Sequence, residues 1–138
     1  MYELDEQDKR IEQIFGQFDM EVSEEASLKY MDYLKRNIEF PCQLTGIEDF
    51  LWEEYYILGP GNKKEYEKLK KRQPSYTDIF SLISFEDDLD ENNGILVKVK
   101  RLSDKKNFIL PLADLKSTDV KSKNYQLLDD YSVWLVNN

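Results

Sequence analysis

The densest grouping of side chains able to do chemistry is Glu86-Asp87-Asp88-Leu89-Asp90-Glu91-Asn92-Asn93-Gly94. Five of its first six residues carry carboxylates, and two amides follow. Like charges packed side by side repel. A divalent cation relieves that repulsion, because calcium accepts about six to eight oxygens from carboxylates, amides, carbonyls and water. In such a site Asp87, Asp88, Asp90 and Glu91 would supply the charge and Asn92 a neutral oxygen. The spacing is not that of an EF-hand. Asp88, Asp90 and Asn92 match its first three ligand positions, but the glycine arrives one residue late, at Gly94, and Val99 stands where the closing glutamate should be. Taken alone, the segment is open to two readings, a solvated acidic turn or a cation site.

Asp114 and the pair Asp129-Asp130 are further candidate ligands, each beside an apolar run and so expected at a sheet end. Asp114 could equally cap a turn, and Asp129 the start of a strand. Glu48-Asp49 forms another short acidic loop. What the chain lacks narrows the chemistry more than what it has. It contains no histidine and one cysteine, Cys42. Ser-His-Asp and Cys-His catalysis are therefore excluded in their usual form, as is a structural zinc site of His and Cys ligands. Any metal must be held by oxygen, which selects hard cations. Cys42, with no histidine to activate it, reads as a buried, inert thiol. Gly59 and Gly61 flank Pro60 and lack the lysine–hydroxyl ending of a phosphate-binding loop. No carboxylate pair has a spacing that marks it for acid–base work, so an enzyme is not expected.

The 138 residues carry 28 acidic and 19 basic side chains, a net charge of −9. That charge repels nucleic-acid phosphates and anionic membranes, and attracts cations and basic protein surfaces. With 41% hydrophobic residues the composition is globular, and the length favours one domain over 1–138. The start, Met1-Tyr2-Glu3-Leu4-Asp5-Glu6, has neither the basic residues nor the apolar run of an export signal. No apolar stretch approaches the ~18 residues of a membrane span. A cytoplasmic location is expected, and the single cysteine agrees with it.

The elements that must position these residues follow from periodicity. Leu4, Ile11, Ile14, Phe15 and Phe18 form one helical stripe, weakened by Gly16. Ser23 reads as an N-cap with Glu24 and Glu25 in the first turn. Leu28, Met31, Leu34 and Ile38 line one face of that helix, which must stop before Pro41. Residues 1–38 thus form a helical part. Phe40 to Leu44 reads as a strand, and an apolar, aromatic run covers Phe50 to Leu58. After the Gly59-Pro60-Gly61 break comes a basic helical insertion near 61–73, holding Lys63, Lys64, Lys68, Lys70, Lys71 and Arg72. A solvated helix face is its simplest reading, and Tyr55, Tyr56 and Tyr66 read as core or rim. Thr77 to Phe85 is apolar, with Ile79, Ile83 and Phe85 on one face. Ile95, Val97 and Val99 alternate as a strand. A turn at Ser103 to Asn107 makes a hairpin with Phe108-Ile109-Leu110. Pro111 to Leu115 should leave the sheet, because Pro111 cannot donate to an inner ladder. Asn124 to Asp130 reads as a helical turn, and Tyr131 to Val136 as a final strand. The expected fold is α+β: N-terminal helices, then a small, strongly curved antiparallel sheet, for which an SH3-like barrel is one form.

Several of these segments resemble the small acidic bacterial calcium-binding proteins of the cyanobacterial CcbP type. The likeness lies in Phe40-Pro41 after a helix, in Gly94-Ile95-Leu96-Val97, in Pro111-Leu112-Ala113-Asp114-Leu115, and in Asn124-Tyr125-Gln126-Leu127-Leu128-Asp129-Asp130-Tyr131 with the closing Val133-Trp134. It implies calcium binding at an acidic surface without catalysis, as a buffer or signal-linked protein. Asp114, Asp129 and Asp130 lie in matching motifs, while Glu86 to Asn93 is this chain's own best cluster. The first twenty residues and Gly59 to Pro74 look like additions. The competing reading is an acidic interaction module, of inhibitor or immunity type, that binds a basic partner.

Overall fold

Ser23 and Ser122 start the two longest helices by the same device. Each hydroxyl accepts a hydrogen bond from a first-turn N–H, Ala26 at 3.0 Å and Tyr125 at 3.1 Å. Asp5 does the same for the first helix, accepting from the Asp8 N–H at 2.7 Å. The computed structural model describes residues 5–138, so Leu4 of the expected stripe lies outside the described residues. The helices are α1 (Glu6–Phe15), α2 (Glu24–Asn37), α3 (Glu54–Ile57), α4 (Lys63–Leu69) and α5 (Lys123–Asn137). The strands are β1 (Gln43–Gly46), β2 (Phe80–Phe85), β3 (Leu96–Arg101), β4 (Asn107–Pro111) and β5 (Leu115–Ser117). Among the described residues no helix is long and apolar enough to cross a membrane.

The strands form one antiparallel sheet in the order β4-β3-β2-β1-β5. A 3-10 turn, Leu112–Asp114, joins β4 to β5, yet these are the two edges. Four residues reach roughly 13 Å, whereas the edges of a flat five-stranded sheet lie roughly 19 Å apart. The sheet must therefore curl. It stays open, however, so the expected α+β class and curvature hold and a closed SH3-like barrel is not formed. Pro111 pairs with Leu96 as the last residue of β4; it is tolerated because β4 is an edge strand.

α1, α2 and α5 supply an aromatic centre of Phe15, Tyr30, Tyr131 and Trp134, with neighbouring ring centroids 5.1–6.0 Å apart. Ile95, Val97, Val99, Phe80, Leu82 and Leu44 belong to the same core. Several expectations change here. Tyr131 to Val136 is the second half of α5, not a strand, because Leu127, Leu128, Tyr131 and Trp134 recur at helical spacing and all four are buried. On α2, Leu28 points outward and Ala26 and Tyr30 are buried instead. β1 starts later than expected, at Gln43, leaving Phe40 exposed. On β2, Phe80 and Leu82 face the core while Ile83, and Ile79 just before the strand, are exposed. A bulge between Leu82 and Ser84 then turns Phe85 back against the core.

The basic insertion is tied down by buried polar groups. Arg101, at the end of β3 and nearly wholly buried, donates to the carbonyls of Lys70, Lys71 and Gln73 at 2.8–3.0 Å and to the carboxylates of Asp78 and Asp104. The Glu53 carboxylate, fully buried, accepts from the Tyr66 and Ser75 hydroxyls and from the N–H groups of Phe50 and Tyr76. Replacing Arg101 by alanine strands these carbonyls and carboxylates. We expect Arg101→Ala to lower the unfolding free energy by about 3 kcal/mol in urea titrations. The exposed neighbour Lys106→Ala should change it by less than about 1 kcal/mol.

Candidate functional site

The acidic segment is the loop between β2 and β3, and it builds its own turn. The Asp90 Oδ1 accepts from the N–H groups of Asn92 and Asn93 at 2.9 and 2.8 Å, and from the Asn93 side-chain amide at 2.9 Å. Asp90 and Gly94 exchange two backbone hydrogen bonds that close the turn. The N–H of Asn92, and then that of Asn93, hold the Asp90 carboxyl below its ordinary pKa. Gly94 has φ +73°, and a Cβ there would lie 2.8 Å from the Tyr131 hydroxyl. The same hydroxyl accepts the Ile95 N–H at 3.0 Å. The base of the loop is thus fixed to α5 through a phenol that burial pushes up to about 12.

The tip of the loop faces the start of α2 across a cleft of about 660 Å³. Asp88, Asp90, Glu91 and Asn92 line one side; Ser23, Glu24 and Ser27 line the other. Ser23 and Glu24 were legible only as cap and first-turn residues, Ser27 carried no signal, and nothing in their spacing pairs them with a loop so distant in the chain. Asp87 is exposed and does not line the cleft. The positive end of α2 lies beside these carboxylates and offsets part of their charge.

The other candidates are placed elsewhere. Asp130 is buried and accepts from Arg10 Nε and Nη2 at 2.8 and 2.9 Å and from the Gln7 amide at 2.9 Å. Its hydrogen bond raises the Arg10 guanidinium further. Asp129 accepts from the same Gln7 at 3.0 Å. These two acids join α5 to α1. Asp114 follows β4, and its carboxyl is raised first by burial and then by the charge of Glu48. Among the described residues no three carboxylate or thiol side chains gather closely enough to hold a metal ion. Cys42 is buried, and burial pushes its thiol up to about 11, the inert state expected. The cleft therefore offers oxygen donors and negative charge.

No protein family model matches the chain, and no curated protein matches it in sequence. Two solved structures share its fold. The crystal structure of CcbP from Anabaena aligns with a TM-score of 0.61 over 97% of this chain and 93% of that one, at 19% identity. A calcium-binding protein solved in its calcium-binding form aligns with a TM-score of 0.55 over 94% of this chain and 89% of that one, at 16% identity. The chain thus shares the fold of a member of the family that its segments from Phe40 to Trp134 resemble.

Adding a Cβ at Gly94 strains a left-handed residue and displaces Tyr131. Gly94→Ala is expected to cost about 1–3 kcal/mol in urea unfolding. The Tyr131 phenol ionises near pH 10 when unfolded and only near 12 when folded. The stability linked to it is complete below about pH 10 and is lost as the pH rises from there through 12. Thermal melts across pH 9–12 should show a smaller alkaline loss in Tyr131→Phe than in the parent.

Proposed function

We propose that this protein binds calcium at the cleft between the β2–β3 loop and the start of α2, without catalysis, as a buffer or signal-linked protein. The observation that carries the reading is that Asp88, Asp90 and Glu91 face Glu24 across one solvent-open cleft. Every polar donor there is oxygen, the type hard cations take. Support comes from the shared fold, since one of the two structures compared is CcbP, of the resembled family, and the other is a calcium-binding protein.

The donors fit a calcium ion in kind, and their arrangement is open. Asp90 commits Oδ1 to its own turn and has Oδ2 free. Asp88, Glu91 and the Asn92 carbonyl are the other loop donors, with Asp87 adding charge nearby. Glu24 would close the site from α2. Asp114, Asp129 and Asp130 do not line the cleft, and Asp130 is already paired with Arg10, so we leave these three out of the set. An ion must draw the loop toward α2, and a site that is not preorganised binds with modest affinity.

Isothermal calorimetry on chelator-stripped protein tests this. Calcium added from low micromolar to millimolar should give one saturable heat. Asp88→Asn with Glu91→Gln should weaken it at least about tenfold, and Asp114→Asn should leave it unchanged. Absence of heat, or an equal response from the cleft variant, would sink the reading.

A further inference from the structure

We propose that the acidic cleft also takes an organic cation: a linear polyamine, with its ammonium groups at the carboxylate rim and its methylenes on an apolar floor. Such a ligand shares the cleft with the proposed calcium ion, and its binding does not depend on calcium's. The cleft is too large for an ion alone. Its volume of about 660 Å³ falls among the ~300–1,000 Å³ of small-molecule sites, and a calcium ion with oxygens at ~2.4 Å fills roughly a tenth of it. Its lining is layered by burial. Val22, Leu89 and Leu135 are half-buried and pack against the hydrophobic core. Glu24, Asp88 and Glu91 are exposed above them. Ser27 also lines the cleft, yet it is only 3% exposed. Its N–H donates to the Ser23 carbonyl, and among the described residues its hydroxyl has no hydrogen-bond partner. A polar group so deeply placed is normally satisfied, so this oxygen is free for a ligand at the base of the cleft.

The chemistry of the lining selects the occupant. Glu24, Asp88, Asp90 and Glu91 repel an anion, and among the described residues no basic side chain lines the cleft. The start of α2 contributes a positive charge of about half a unit, which four carboxylates outweigh. A neutral molecule would cover those carboxylates without answering their charge. A compact inorganic cation would answer the charge and leave Val22, Leu89 and Leu135 wet. A basic peptide would bring backbone N–H and C=O groups, for which an aliphatic floor has no partners. A polyamine has none of these faults, because it carries only N–H donors spaced along methylenes. Its ends can reach Glu24 on one wall and Asp88 and Glu91 on the other, while an inner amine donates to the Ser27 Oγ. The same carboxylates serve polyamine and calcium, so each ligand lowers the apparent affinity of the other.

The probe is spermidine, titrated into the chelator-stripped full chain by isothermal calorimetry. One saturable heat is expected, with a dissociation constant on the order of 100 μM at low salt and weaker binding at high salt. Glu24→Gln with Glu91→Gln should weaken it at least about tenfold, and Leu89→Asn about fivefold. Ser27→Ala breaks no internal hydrogen bond, so it should weaken binding about threefold with an unchanged thermal melt, which keeps the test decisive if Leu89→Asn fails to fold. Asp87→Asn removes a carboxylate outside the cleft and should change nothing. Hexaamminecobalt(III), which matches the charge of spermidine without its methylenes, should bind at least about tenfold more weakly. Absence of spermidine heat, equal binding of the cobalt complex, or an equal loss in Asp87→Asn and the Glu24–Glu91 variant would overturn the proposal in favour of diffuse charge attraction. Tighter binding of a capped trilysine peptide would overturn it by assigning the cleft to a basic protein segment. A calcium heat without a spermidine heat sinks the polyamine alone, and a spermidine heat without a calcium heat supports it while sinking the calcium reading.

Discussion

Among the described residues three charged side chains, Glu53, Arg101 and Asp130, are buried, and each is enclosed by partners that reach it from other elements. Glu53 is met by two hydroxyls and two backbone N–H groups, Arg101 by three carbonyls and two carboxylates, and Asp130 by Arg10 and Gln7. An unanswered charge in such surroundings costs several kcal/mol. The partners therefore have little freedom of position. Asp130 sets α1 against α5. Glu53 and Arg101 set the segment from Phe50 to Asp78 against the sheet.

The same constraint sorts the acidic residues by role. A carboxylate that folding has already satisfied is a poor cation ligand, because binding an ion there would first break its internal contacts. Asp130 is in that position, held by Arg10 and Gln7 of α1. Asp90 is half committed, with one oxygen spent on its own turn. Asp88, Glu91 and Glu24 remain open to the cleft. The proposed cation site is thus made of the charge that the fold has left over. Its position depends on Tyr131, a core residue that fixes the loop base at Ile95 and leaves no room for a side chain at Gly94. Binding at the loop and packing in the aromatic centre share one hydroxyl.

Much of the architecture was legible from local pattern. Ser23 with Glu24 and Glu25 marked the start of α2, and the alternation of Ile95, Val97 and Val99 marked β3 and its inner face. These signals are short-range, so neighbours in the chain suffice to state them. The C-terminal helix was misread for the opposite reason. Tyr131 to Val136 is aromatic and β-branched, and locally it suits a strand. Burial of Leu127, Leu128, Tyr131 and Trp134 against α1 and α2 outweighs that preference. β2 was read on the wrong face because its bulge changes the alternation midway, and a bulge is defined by the partner strand.

Sequence alone determined the kind of chemistry open to this protein. Without histidine and with one buried thiol, metal ligation falls to oxygen and the familiar nucleophilic triads are absent, whatever the fold. It also located the acidic concentration between β2 and β3. Only the tertiary structure decided which acids face one another. Glu24 lines the cleft because α2 packs beside the loop, and Asp130 is paired with Arg10 because α1 packs against α5. Residue type is a local property, and the availability of a carboxylate is not. It depends on which charges and donors the packing of distant segments brings within a few ångströms.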